Sequence, residues 1–260
     1  MIVDCNAHLG HWPFRDIANS APEQFIALMD SRGITQAAVA TFQSVVYADV
    51  HPANCWLMEA IAPFAERFLP QATINPAFPA WERDLETAIA AGFRGLRLYP
   101  NYHGYELSDD CMHDLLDAAG ENRLPVTIHQ RMFDERRHHP RCIVPAVELS
   151  AIGELATQYH DVSLLLCNCR PYQSEPIMEA LSACANLHVD ISVLEGVGRL
   201  ETLIPQIGVH SIVFGSHAPY QYLDAALLKL RESCLSQTDM DAIVYGNAQR
   251  LFGSQTSEPV

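Results

Sequence analysis

Lysine is almost missing from this chain. Of 260 residues only Lys229 is lysine, and Lys plus Arg total 16 against 31 Asp plus Glu, a formal charge of −15. Such an acidic surface repels phosphate backbones and anionic headgroups, so neither nucleic acid nor a membrane surface is an expected partner. There is also no apolar run of about 18 residues, the length that crosses a bilayer. A basic segment followed by a short apolar stretch is missing from the N-terminus, so no signal peptide is expected and the predicted location is cytoplasmic. The eight cysteines lack a paired spacing: only Cys167 and Cys169 are close neighbours, with no second pair to complete a zinc ribbon. They read as reduced, mostly buried small hydrophobes. No linker, repeat or low-complexity stretch divides the chain, which points to a single domain over residues 1–260.

What is present is a hydrophobic fraction of 49% in a chain long enough for one large core. Short apolar or β-branched runs alternate with segments of helical periodicity. The strand candidates cover 2–8, 36–42, 68–74, 93–99, 125–130, 162–168, 187–192 and 211–216, with helix candidates such as PEQFIALMDSRG and WERDLETAIAAG between them, stopped by Gly33 and Gly92. Eight such units predict an α/β fold of the (β/α)8 TIM-barrel type, although an open doubly wound sheet gives a similar linear pattern. The longest irregular piece, RMFDERRHHPRCIVP (131–145), follows the fifth strand, where a barrel carries lid and substrate loops.

In a barrel the chemistry gathers where strands end. Strand alternation puts Asp4, Asn6 and His8 on one face, with Asn6 and His8 at the end of the first strand and Asp4 orienting them from beneath. Arg97 and Tyr99 end the fourth strand, His129 and Arg131 the fifth, and Asn168 and Arg170 the sixth, while His217 follows the eighth.

Five stretches carry a resemblance: DCNAHLGHWPF, GFRGLRLYPNYHGYEL, LPVTIHQ, FGSHAPY and GNAQRLFG. In this order they resemble the amidohydrolase-related branch of the amidohydrolase superfamily, which includes aminocarboxymuconate semialdehyde decarboxylase and related hydrolases and decarboxylases. The resemblance implies a TIM barrel, a metal centre and, since such barrels often pair, a homodimer. The chain departs from the pattern at three places. Asn6 stands for the first His of Asp-x-His-x-His, Asn168 for a strand-6 His, and His217 for the Asp that binds metal and takes the proton of the attacking water.

His8, His129 and His217 remain as ligands for zinc or another divalent ion, but that site contains no anionic ligand. The metal-free alternative uses His217 or His129 as base, with Asn6 and Asn168 donating to an oxyanion. Arg97, Arg131 and Arg170 are the expected grips for a small carboxylated substrate, because a guanidinium matches a carboxylate with two parallel hydrogen bonds. Tyr99, Tyr102 and His103 are expected to line the pocket, Trp12 and Phe14 to wall it, and His138 or His139 of DERRHHP to reach in from a lid. The leading expectation is hydrolysis of a small carboxylated lactone, ester or amide. The alternatives are decarboxylation or hydration of an unsaturated acid, and a non-catalytic small-molecule-binding barrel that has lost the catalytic Asp.

Overall fold

Eight parallel strands, each paired with the next in chain order, form the sheet in the computed structural model, which describes residues 1–134, 136 and 138–253. They are β1 (Val3–Leu9), β2 (Gln36–Thr41), β3 (Phe68–Thr73), β4 (Gly95–Leu98), β5 (Val126–His129), β6 (Leu164–Cys167), β7 (Leu187–Asp190) and β8 (Ile212–Val213). The barrel closes where Cys5 N donates to Phe214 O (2.9 Å), His8 N to Ala218 O (2.9 Å) and His217 N to Asn6 O (2.7 Å). The expected (β/α)8 barrel is therefore the fold. Strands buried on both faces read as continuous apolar runs, which is why they were visible in the sequence.

Helices Pro22–Arg32 and Trp81–Ala91 end at Gly33 (φ 72°) and Gly92 (φ 85°), whose left-handed backbone an L side chain resists. The helix before β6 begins at Ile152; ahead of it Val147 N donates to Gln130 O (2.8 Å), holding that segment against the end of β5. β8 is shorter than its apolar run. Past it the chain joins β1 and turns at His217, a non-glycine residue at φ 59°.

The alternation expected in β1 is interrupted. The β1–β2 register shifts between Asp4 and Ala7, so Val3 and Cys5 pack with Leu165, Cys167, Val213 and the C-terminal helix Asn247–Phe252, whereas Ala7 and Leu9 pack with the surrounding helices. A third apolar cluster, of Trp12, Ile17, Phe42, Val45, Tyr99 and Met132, lies apart from both and covers the strand ends. No helix among the described residues is long and apolar enough to cross a membrane, and the cysteines described are all free.

Candidate active site

Three imidazoles meet at the strand ends. His8 lies 5.1 Å from both His129 and His217, centroid to centroid, and His129 lies 5.9 Å from His217. All three are buried, and one nitrogen from each falls within 4.8 Å of the others. Each ring has one nitrogen bonded and one buried without a partner. His8 Nε2 meets Tyr99 Oη (2.9 Å), His217 Nε2 meets Met132 O (2.8 Å), and His129 Nδ1 faces the amide Nδ2 of Asn168 (3.4 Å). Met132 O only accepts, so Nε2 of His217 carries the hydrogen and Nδ1 is a bare base.

Burial, followed by the Arg97 charge and the neighbouring rings, holds His8 and His129 well below the ordinary imidazole range. Burial brings His217 down to about 3, outweighing the opposing hydrogen bond to Met132 O. The cluster is neutral at pH 7.

Beneath the rings lies a polar network that the sequence reading only half found. Asp4 Oδ1 accepts from Asn6 N and Ser216 N (3.0 Å each), and its Oδ2 accepts from Ser216 Oγ, tying β1 to the segment after β8. Asn6 Nδ2 donates to Asn168 Oδ1 (3.0 Å) and to Asp190 Oδ2 (2.6 Å), and Asn168 Nδ2 donates to Arg131 O (2.7 Å). Asp190, at the end of β7, was missed; its signal was the one that found the other residues, a polar side chain closing an apolar strand. Asn168 sits at φ 55°, a second non-glycine residue of the site in the left-handed region.

Gly215 packs against this network, since a Cβ there would stand 2.8 Å from Asp190 Cβ and Oδ2 and 3.1 Å from Asn6 Cβ. Gly215→Ala is expected to cost about 1–3 kcal/mol, as overpacking does. An unchanged urea midpoint would show that the contact is not close.

Two expectations need correction. Arg97 does not reach the mouth: its guanidinium is buried, with Nε on Gln71 Oε1, Nη1 on Ala7 O (2.8 Å) and Nη2 on Ala38 O (3.1 Å) and Cys5 O (3.3 Å). Asn6 and Asn168 do not offer amide hydrogens to an oxyanion, because both Nδ2 groups are spent inside the network.

The remaining residues divide. Tyr99, Tyr102, His129 and Arg131 line one small pocket. Arg131 and Met132 also line a cavity of about 730 Å³ that reaches Asn168, Arg170, Ser192 and Lys229. Arg131 Nε and Arg170 Nε are both buried without a partner; Arg131 Nη2 donates to Gln130 Oε1 (3.4 Å), whereas Arg170 Nη2 pairs with the Glu195 carboxylate (2.7 Å). His103 is not with the other imidazoles; its Nε2 is tied to Ser44 O (3.0 Å). Trp12 closes the mouth with Phe133 and Tyr220, and the largely exposed Phe14 stands against it at 5.3 Å. Neither His138 nor His139 joins the cluster. His138 packs on Phe133 (4.3 Å) and accepts from Val144 N (3.0 Å), and His139 accepts from Arg141 N (3.2 Å). Glu135 and Arg137 of that loop lie outside the described residues.

Acid should destabilise this fold, and the sign follows from the buried groups. His103 and His188, both pulled down to about 4 mainly by burial, join the three site imidazoles in staying neutral when folded. Below pH 6.5 the unfolded chain takes these protons and the folded one does not, so stability is lost at about 1.4 kcal/mol per pH unit for each group. Asp4, raised to about 6 by burial, and Asp190, raised likewise, act in the opposite sense, because the folded chain protonates them first as pH falls. Five imidazoles against two carboxylates leave a net loss. Tm should fall steadily from pH 6.5 to 4.5, and a flat or rising Tm would contradict the burial of these rings.

The amidohydrolase family profile matches residues 3–254, and the chain belongs to that family. No relative is found among curated protein sequences. Among solved structures, a 2,6-dihydroxybenzoate decarboxylase from Rhizobium is similar at 17% identity with a TM-score of 0.78, covering 97% of this chain and 98% of its own. A dihydroxybenzoic acid decarboxylase from Polaromonas, solved with manganese and the inhibitor 2-nitroresorcinol, gives 17% identity and 0.75 over 98% of both chains. A 4-oxalomesaconate hydratase from Rhodopseudomonas palustris gives 16% and 0.70, covering 97% of this chain and 96% of that one. At these identities the likeness concerns the fold.

The residues present do not fit the divalent ion that the family resemblance implies. By spacing, His8, His129 and His217 could hold an ion, as three imidazoles do at catalytic zinc, and Asp4 and Asp190, both spent as acceptors, add no carboxylate; the orientation of His129 is what does not fit. A metal-bound imidazole gives its other N–H to an acceptor. His217 does so at Met132 O, but His129 turns Nδ1 toward an amide donor.

Proposed function

We propose that this barrel decarboxylates a small unsaturated or aromatic carboxylic acid that carries a hydroxyl group beside the carboxylate. The observation that carries this reading is the apolar closure over a neutral base: His217 Nδ1 is bare, buried and roofed by Met132, Trp12 and Tyr220. Hydrolysis and hydration must hold and activate a water. Loss of carbon dioxide is favoured when a carboxylate leaves water for an apolar site, since charge disperses as the bond breaks. Arg131, which lines one pocket with Tyr99 and His129, is the guanidinium that would hold the substrate, since Arg170 is already paired with Glu195.

In the proposed sequence His217 Nδ1 takes the hydroxyl proton and delivers it to the carbon bearing the carboxylate. The C–C bond then breaks, its electron pair passes to the oxygen that lost the proton, and solvent reprotonates that oxygen. One solvent proton is consumed for each carbon dioxide released. The two decarboxylases named above support this reading over the hydrolysis expected from the sequence, and the hydratase keeps hydration as its nearest rival.

The test is incubation with hydroxylated aromatic and unsaturated acids, and with lactones, in D2O and in ¹⁸O-water. The proposal expects carbon dioxide and one deuterium at the vacated carbon. Incorporation of ¹⁸O without carbon dioxide would replace it with hydrolysis or hydration, and no turnover across the panel would favour a binding protein.

A further inference from the structure

Asp190 is buried and touches none of the three imidazoles directly, yet the hydrogen-bond chain that begins on it ends on one of them. Its carboxylate is surrounded by donors: Asn6 Nδ2 at 2.6 Å on Oδ2, with Asn168 N (3.1 Å) and Ser192 Oγ (3.0 Å) on Oδ1. An ionised carboxylate only accepts, so Asn6 must turn its NH2 and not its oxygen toward Asp190. The second hydrogen of that NH2 goes to Asn168 Oδ1 (3.0 Å), which Ser192 Oγ also approaches (2.8 Å). This forces the Asn168 NH2 to the far side, and there it meets Arg131 O (2.7 Å), which again only accepts. Both ends of the chain are groups of fixed polarity, so the orientation of the two amides between them follows from chemistry and not from placement of nearly identical atoms.

The remaining Asn168 hydrogen points at His129 Nδ1 (3.4 Å). A neutral imidazole that accepts at Nδ1 carries its hydrogen on Nε2, and His129 Nε2 is the buried atom without a partner. His217 has the opposite arrangement, with its hydrogen on Nε2 held by Met132 O and a bare Nδ1. The two rings therefore offer complementary groups to whatever enters between them.

We propose that Asp190 is a positioning residue which, through Asn6 and Asn168, sets His129 as the site's hydrogen-bond donor opposite the acceptor His217, in place of a metal ion. This deepens the decarboxylase reading and rests on it for the role of the pair. The His129 Nε2–H would hold the substrate oxygen on which charge collects as carbon dioxide leaves, a task suited to a neutral imidazole. The asparagines that interrupt the family's metal pattern thus acquire a common purpose: each passes a donor along a chain that a histidine or carboxylate ligand would break.

The test reads the tautomer directly. In ¹⁵N-labelled protein, two-bond ¹H–¹⁵N correlation spectra, with His129 assigned by its loss in His129→Gln, should show the hydrogen on Nε2 at pH 7. Adding manganese or zinc should leave those resonances in place. Asn168→Asp reverses the polarity of the last link, and should move the hydrogen to Nδ1 and bring metal binding that the unaltered protein lacks. Asp190→Asn should mix the two tautomers and lower kcat about tenfold with little change in KM.

A hydrogen on Nδ1 in the unaltered protein, or a stoichiometric metal ion held through His129, would overturn the proposal even if both variants failed to fold. An Nε2 tautomer in a protein that releases no carbon dioxide would instead sink the decarboxylase reading and leave the Asp190 chain intact.

Discussion

Arg97→Met should destabilise the barrel by about 3–5 kcal/mol, the range for leaving buried polar partners of a charged group uncompensated. The guanidinium bridges Gln71 on β3 with the carbonyls of Cys5 and Ala7 on β1 and Ala38 on β2, so one side chain ties three neighbouring strands to its own. Its removal strands four acceptors in a dry interior, where each unmet hydrogen bond costs about 1–3 kcal/mol. Arg97→Lys should rescue little, because an ammonium on a flexible stem cannot span that fork. Urea unfolding checks both variants. A stably folded Arg97→Met that merely binds carboxylates less well would return the residue to the substrate pocket.

The second large effect belongs to His217. His217→Gln keeps an amide hydrogen for Met132 O but removes the basic lone pair, so it separates the tie from the chemistry. Turnover of a decarboxylated substrate should fall by about 10²–10⁴, the usual contribution of a positioned proton-transfer group, with KM changed far less. The urea midpoint distinguishes this from unfolding. Undiminished turnover would remove His217 as the base and direct attention to His8, whose bonded nitrogen faces Tyr99 and leaves its tautomer free.

Much of the architecture was legible because the strands are covered on both faces, and runs such as LLLC in β6 stay apolar up to the polar side chains that follow them. The same rule led to the three imidazoles, up to 209 positions apart in the chain (His8 and His217) and 5.1 Å apart in space. It failed for Arg97 because side chains in the layer beneath the mouth follow the same alternation as those at the mouth, and only the position of the partner carbonyls along neighbouring strands tells them apart. It passed over Asp190, whose single charge closes a strand as short as LHVD. Asn6 and Asn168 were placed at the site but given the wrong task. An amide offers donor and acceptor alike, and which one faces the cavity is decided by Asp190 and by the carbonyl of Arg131, neither of which is near them in sequence.

One contact at the roof has a consequence for basicity. The carbonyl that fixes the His217 proton belongs to Met132, on the loop that seals the mouth together with Phe133 stacked on Tyr220 at 5.5 Å. Without that carbonyl and the cover of its loop, the imidazole would lose both its tether and its burial, and its pKa would return from about 3 toward the ordinary imidazole range. The oriented, weakly basic ring that turns a bare Nδ1 into the site is therefore a property of the closed arrangement alone.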